Sequence, residues 1–238
     1  MKKCYHIIAV GFAALSVLIG LCFDLDPTYL MGGRQKLLVY ATPIIVLYID
    51  MIYQMRHAGN DKEKRDIQHR AHRNMFIVYL IAAATLLFLG SSFRRAFSDR
   101  NIWAAEPFSA EHFRMYCNLR PFKTIRMYLR AYERHSMSMR LISANILGNL
   151  AAFMPCAVFM PVIFTKMRKF RYFLPAITGI VVMVEATQFL TMVGQADIDD
   201  VLLNVAGASL LYIIRPLIRR IEGKYADYYL TEQPAEKI

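Results

Sequence analysis

Apolar residues occur in this chain as long runs rather than in alternation with polar residues. Such runs are typical of helices surrounded by lipid, because a helix at the surface of a soluble protein keeps one polar face. Crossing the hydrocarbon core takes about 20 residues of helix, with some tolerance for shorter segments. The pattern therefore predicts an all-α, polytopic membrane helix bundle with about six transmembrane helices. The six runs are residues 5–23, 37–53, 76–90, 141–164, 172–193 and 201–214.

Composition supports a membrane protein, since 56% of the 238 residues are hydrophobic. Lys2 and Lys3 precede the first run, but no small-x-small cleavage pattern follows it, so we expect an uncleaved anchor. The formal net charge of +11 fits loops that meet anionic lipid headgroups, and no nucleic-acid-binding motif accompanies it. The four cysteines match no metal-binding or disulfide pattern.

The distribution of Lys and Arg predicts the orientation of the chain in the membrane. With six spans, four basic regions lie on one side, which the positive-inside rule makes cytoplasmic, together with both termini. The turn at 194–200 holds three aspartates and no basic residue, so it is expected outside. The loop at 91–140 is also expected outside although it holds ten basic residues, because loop charge stops deciding topology as loops lengthen. The four basic regions are 2–3, 56–73, 166–171 and 215–224.

Part of that long loop has the spacing of an amphipathic helix. Its basic residues fall at i, i+3, i+7 and i+11, and four apolar residues lie on or near the flank of this stripe. Two interpretations remain open: an extracytoplasmic helix in the headgroup layer with its arginines on phosphates, or a connecting helix with a solvated basic face. The basic residues are Lys123, Arg126, Arg130 and Arg134, and the apolar ones are Phe122, Ile125, Leu129 and Tyr132.

Polar side chains also interrupt the last three apolar runs. A charge in hydrocarbon costs several kcal/mol unless it is paired or hydrated, so such groups mark a polar site between helices. On the predicted topology all of them lie in the extracytoplasmic half: Asn145 and Asn149, then Glu185 and Gln188, then Asp200 and Asn204. Gly148 and Gly207 are predicted to allow close helix contacts there, and Pro155 to kink the fourth helix.

Four spaced motifs contain these residues. They are Asn118-Leu-Arg120-Pro-Phe122, Asn145-(x)3-Asn149 with Phe153-x-Pro155, Glu185-x-x-Gln188, and Asp197-x-Asp199-Asp200-(x)3-Asn204-x-x-Gly207. Their order resembles the VanZ-like family of integral membrane proteins, named for a teicoplanin-resistance protein. The resemblance covers roughly residues 73–216 and departs from the family at Cys156-Ala157, where glycine is common, and at Gln195, where arginine is common.

The resemblance implies three parts of the chain. Residues 1–72 are an N-terminal transmembrane hairpin with a basic cytoplasmic loop, 73–216 the VanZ-like membrane domain, and 217–238 a cytoplasmic tail. It also implies a protein of the bacterial cell membrane that affects how envelope-directed antibiotics act, especially lipid-tailed glycopeptides. No settled chemistry comes with the family.

Three functions are compatible with the polar residues. The first is a non-enzymatic protein that binds a lipid headgroup, a lipid-linked wall precursor or a partner protein of the envelope. Its structural alternative is that the amides only hold the helices together by hydrogen bonds. The residues expected to bind are Asn118, Arg120, Asn145, Asn149, Glu185, Gln188, Asp197, Asp199, Asp200 and Asn204.

The second function is an enzyme acting on a lipid-linked substrate. Glu185 with Asp199 or Asp200 could form an acid/base pair if burial separates their pKa values, and the aspartates could hold a divalent cation. No other cofactor is expected. No Ser, Cys or His occupies a nucleophile position, and His112 and His135 are expected at the surface, which weighs against catalysis.

The third function is an ion-coupled carrier with Glu185 as a protonatable relay. Six helices are few for a carrier, so a homo-oligomer would have to supply the missing half. The aspartates have a structural alternative as well: Asp197 or Asp199 could cap the last helix, which leaves Asp200 to share a face with Asn204.

Overall fold

The computed structural model describes residues 2–25, 33–89 and 109–222, which are almost entirely helical. The first three helices are α1 (Lys2–Leu25), α2 (Gly33–Arg56) and α3 (Asp61–Phe88). Then follow α4 (Ala110–Tyr116), α5 (Lys123–Glu133), α6 (Met139–Ala152), α7 (Met154–Ile163), α8 (Phe170–Leu190) and α9 (Ile198–Glu222). Two strands of two residues each, β1 (Cys117–Asn118) and β2 (Ala196–Asp197), pair in parallel. The predicted all-α class is confirmed.

In the described part of the chain, five helices are long and apolar enough to cross a membrane. They correspond to the first five predicted spans, with α6 and α7 together forming the fourth. The sixth predicted run lies within α9, which begins with Asp199 and Asp200 and carries Arg215. This helix is not among the five, so the count of six is not confirmed. The chain is a multi-pass membrane protein.

Two helix boundaries follow from local chemistry. The basic loop expected before the third span is mostly helical, because α3 already begins at Asp61. Asn60 and Glu63 form a capping box there: Asn60 Oδ1 accepts the Glu63 amide at 2.8 Å, and Glu63 Oε2 accepts the Gly59 amide at 2.7 Å. The kink predicted at Pro155 is confirmed as a break at Phe153, since proline cannot donate the hydrogen bond that would continue α6.

The described residues fall into two compact units. The unit that contains α1, α2 and nearly all of α3 holds a buried ion pair, in which Lys36 Nζ lies 2.6 Å from Asp24 Oδ1. The Tyr40 hydroxyl donates to the other Asp24 oxygen at 2.8 Å, and Lys36 also donates to the Thr85 carbonyl at 3.5 Å. The side chains of the pair are 0% and 6% exposed, so both charges are balanced inside this unit.

The other unit contains residues 109–158 and 166–213, and with them the family motifs. Its core includes one face of α8, where Phe173, Ile177 and Val181 recur every four residues and are fully buried. Glu185 is the next residue in this series and is also buried. The helical repeat therefore carries a carboxylate into the end of an apolar stripe.

Candidate functional site

The strand pair brings the first and last motifs together. Its register aligns Asn118 with Asp197, and the Asn118 Nδ2 atom donates to Asp197 Oδ1 at 2.8 Å. The Thr124 hydroxyl donates to the second Asp197 oxygen. Asp197 Oδ1 also accepts the amide of Asp199 at 2.9 Å, two residues on at the start of α9. Asp197 is thus the N-cap of α9, as predicted, and joins it to the segment before α5.

Asp199 caps a different helix from the one expected. Its fully buried carboxylate accepts three backbone amides at the start of α5, from Phe122, Thr124 at 2.8 Å and Ile125 at 3.2 Å. These amides have no partner within their own helix, and the positive end of the helix dipole favours a carboxylate there. Asp199 therefore fixes the basic helix α5 to the start of α9.

The turn before α5 is held in an unusual conformation. Phe122 has a φ of 62°, in the left-handed region that bulky residues rarely adopt. The Asn118 side chain accepts the Arg120 amide at 3.2 Å, which closes the turn from its other end. The Arg120 side chain is exposed and makes no described contact with the motif carboxylates. Arg120 contributes to the site through its backbone.

Glu185 joins the cluster through backbone rather than through another side chain. Its Oε2 atom accepts the Asp197 amide at 3.2 Å, which ties the C-terminal part of α8 to β2. Gln188 lies one turn further along α8 but bonds elsewhere, since its Nε2 donates to the Leu87 carbonyl at 3.1 Å. The pairing of Glu185 with Gln188 in sequence therefore does not become a direct contact.

Asn149 and Asp200 form the direct side-chain link between α6 and α9. The Asn149 amide donates to Asp200 Oδ1, and both side chains are half-buried. Asn204 lies on the same face as Asp200, as predicted, but its Nδ2 bonds the Asp200 carbonyl at 2.8 Å rather than the carboxylate. Asn145 is exposed one turn before Asn149 and has no hydrogen-bond partner among the described residues.

Close packing holds α6 against α9 beside this link. A Cβ atom added at Gly207 would lie 1.7 Å from the Leu150 carbonyl oxygen, so the predicted close approach at Gly207 is confirmed. The same expectation for Gly148 is wrong, because an added Cβ would meet nothing within 4 Å. Both glycines lack a side chain, but only one faces a neighbouring backbone.

Three residues near the carboxylates were not predicted as part of the site. Thr124 was missed although it lies six residues after Asn118 in the same motif region, and the two side chains are 3.2 Å apart. Burial raises the pKa of Tyr128 on α5, and the charges of Asp200 and Asp197 raise it further. Burial likewise raises the pKa of the Cys117 thiol, with a smaller contribution from Asp197.

One expectation about histidines is wrong. His112, expected at the surface, is buried on α4 against the Phe189 ring, with centroids 4.7 Å apart. His135 is exposed, as expected. Among the described residues no group of three or more His, Cys, Asp and Glu side chains is arranged to hold a metal ion. A divalent cation at the aspartates stays a prediction.

The comparisons with known proteins agree with the motif order. The sequence model described as VanZ/LLP1 matches residues 76–219, more than half of the chain. That range includes every element that builds the cluster and leaves the hairpin of α1 and α2 outside. Neither the curated proteins nor the solved structures gave a match. The order of the motifs and this match lead to one conclusion: the chain belongs to the VanZ/LLP1 family.

Proposed function

We propose that this protein acts at the extracytoplasmic face of a bacterial cell membrane and modulates susceptibility to glycopeptide and lipoglycopeptide antibiotics. Asn145, Asn149, Glu185 and Asp200 form its polar site, which binds a lipid headgroup, a lipid-linked wall precursor or an envelope partner. The hydrogen bond between Asn149 and Asp200 carries the proposal, because it places a half-buried carboxylate and amide between apolar helices.

The exposure of these residues supports binding over a purely structural role. Asn145 is exposed, Asn149 and Asp200 are half-buried, and Glu185 is buried, so polar groups extend from the surface inward. Amide and carboxylate groups of this kind suit the hydroxyls and amides of a sugar-containing headgroup. Among the described residues no Lys or Arg forms an ion pair with Glu185 or Asp200, so both remain available to a ligand.

The catalytic alternative is supported less well. Asp199, one of its candidates, is fully buried, and its two oxygens accept three backbone amides. Because these amides and the surrounding protein enclose both oxygens, Asp199 is not placed to reach a substrate. An acid/base pair would have to consist of Glu185 and Asp200.

The orientation rests on charge. Lys and Arg cluster at the start of α1, from the end of α2 into the first half of α3, and between α7 and α8, which the positive-inside rule assigns to the cytoplasm. The N-terminus is then cytoplasmic, and the turn between α8 and α9, with the polar site beside it, faces outward. With α9 as a sixth span, the C-terminus is cytoplasmic as well.

The test is teicoplanin susceptibility of a sensitive host that expresses the full chain. Glu185→Gln and Asp200→Asn remove charge but keep an oxygen that can accept the hydrogen bonds from Asp197 and Asn149. We expect wild type to protect the cells and both variants to lose most of that protection at equal membrane abundance.

The matched control is Glu133→Gln, which removes an exposed carboxylate from α5 in the same unit. It should protect as wild type does. Equal protection by wild type and both site variants would mean that the two carboxylates are structural. No protection by wild type at normal abundance would contradict the antibiotic function itself.

A further inference from the structure

Most of the surface of helix α5 is not covered by other described parts of the protein. None of its side chains is buried. Its inner face carries half-buried side chains at i, i+4 and i+7, those of Thr124, Tyr128 and Ala131. This face of the helix lies toward the motif carboxylates. The rest of the circumference is divided between a cationic face and an apolar face.

The cationic face is unpaired. Lys123, Arg130 and Arg134 lie at i, i+7 and i+11, within a narrow sector of the helix, and all are exposed. In the described part of the chain no carboxylate lies within ion-pair distance of any of them. Arg126, at the edge of this face, donates to the Phe122 and Pro121 carbonyls at 3.1 and 3.3 Å. Three cations therefore form no ion pair with a carboxylate of the described residues, including the exposed Glu133 of the same helix.

The apolar face lies beside the cationic one. Leu129 and Tyr132 are 57% and 47% exposed on α5, and the turn before it exposes Phe122 and Leu119 to 56% and 65%. Large apolar side chains next to unpaired cations are a poor match for water, which hydrates only the cations well. They suit a surface that offers anionic groups and hydrocarbon at adjacent depths.

The position of α5 in the chain places it at such a surface. It ends at Glu133, and α6, the first half of a membrane span, begins at Met139. Asp199 holds the N-terminus of α5 through three amides, and Thr124 adds a bond to Asp197. Its N-terminus is therefore fixed to the start of α9, and five residues separate its C-terminus from a membrane span.

We infer that α5 is an interfacial helix whose partner is an anionic phospholipid bilayer. Its three unpaired cations bind lipid phosphates, and Leu129, Tyr132 and the turn at Phe122 enter the boundary of the acyl chains. The buried carboxylates of Asp197 and Asp199 position this helix, which gives the family motif a role in lipid contact. This inference does not rest on the antibiotic function or on the charges of Glu185 and Asp200.

The test measures which lipid touches α5 in the reconstituted full chain. Tyr132→Trp is made together with Trp103→Phe, which removes the one native tryptophan. The protein is placed in phosphatidylcholine vesicles that contain a minor fraction of brominated phosphatidylglycerol or of brominated phosphatidylcholine. Bromine quenches the indole on contact, so the ratio of the two quenching efficiencies gives the lipid preference at α5.

We expect a preference of about fivefold or more for phosphatidylglycerol, since one basic side chain near an anionic surface already contributes about that factor. Arg130→Gln with Arg134→Gln should bring the preference close to one, and Arg130→Lys with Arg134→Lys should retain it. High salt should reduce it. The matched control is Lys62→Gln with Arg73→Gln, which removes two exposed charges from α3 and should leave the preference unchanged.

Two results would overturn the inference. Quenching by neither brominated lipid would show that α5 does not contact the bilayer. Equal quenching by both lipids, unaffected by the arginine substitutions, would show apolar contact without recognition of anionic headgroups. Because no antibiotic enters the measurement, either result is separate from the outcome of the susceptibility assay.

Discussion

The contact between Gly207 and Leu150 allows the sharpest stability prediction. In Gly207→Ala the new Cβ would lie 1.7 Å from the Leu150 carbonyl oxygen and 2.7 Å from its carbonyl carbon, whereas ordinary contacts begin at 3.4 Å. The obstacle is backbone, so no change of side-chain rotamer can relieve it. Helices α6 and α9 must move apart until the distance between the new Cβ and the Leu150 carbonyl oxygen has about doubled.

The cost can be estimated from this geometry. Overpacking typically costs about 1–3 kcal/mol, and a fixed backbone obstacle belongs at the upper end of that range. Alanine returns roughly 1 kcal/mol through its higher helix propensity. A net loss of about 2 kcal/mol would lower the melting temperature by roughly 5 °C for a chain of this size. The same displacement would stretch the hydrogen bond between Asn149 and Asp200.

The assay is the melting temperature of purified protein in detergent, followed by size-exclusion chromatography after heating. Gly148→Ala is the matched control, because it makes the same chemical change on α6 where an added Cβ meets nothing within 4 Å. It should melt at the wild-type temperature or slightly above it. If Gly207→Ala and Gly148→Ala melt together, α6 and α9 are not in backbone contact and the reasoning fails.

Two further predictions concern the motif aspartates. Asp199→Ala should leave the amides of Phe122 and Ile125 without their acceptor, at a cost of about 3 kcal/mol in the free energy of unfolding. Hydrogen exchange of these two amides should accelerate in Asp199→Ala and stay unchanged in the control, Asp200→Ala. Unaltered exchange in Asp199→Ala would contradict the cap. Burial and the charge of Asp197 raise the pKa of the Cys117 thiol, so its alkylation by a maleimide should reach half-maximal rate at a higher pH in the folded than in the SDS-unfolded protein. Asp197→Asn should lower the pH of half-maximal rate in the folded protein. Identical pH profiles of the folded and unfolded protein would refute the shift.

Sequence reasoning succeeded where the deciding property is local. The length and hydropathy of a run are read from consecutive residues, so five of the six predicted runs lie in helices long and apolar enough to cross a membrane. Helical spacing placed Asp200 and Asn204 on one face, which the structure confirms. Capping preference left Asp197 or Asp199 for the start of the last helix, and the structure has Asp197 there. The break before Pro155 was predicted from the chemistry of proline, although Pro43 and Pro175 lie inside helices that continue past them.

It failed where distant segments meet. The cap from Asp199 joins residues 77, 75 and 74 positions apart, which no spacing rule connects. Gly148 and Gly207 have the same chemistry, and only the packing of α6 on α9 distinguishes them. Asp24 and Lys36 were overlooked because the apolar runs stop just before the first and begin just after the second.

The buried pair of Asp24 and Lys36 has a consequence for how the chain enters a membrane. These residues lie near the facing ends of α1 and α2, in the chain order helix, connection, helix. Inserted one helix at a time, each would carry an unbalanced charge at the edge of the hydrocarbon, at a cost below the roughly 3 kcal/mol that applies at the centre of a membrane. Inserted together as a helical hairpin, the two charges neutralise each other on arrival. Biogenesis of this protein should therefore favour release of α1 and α2 into lipid as one unit.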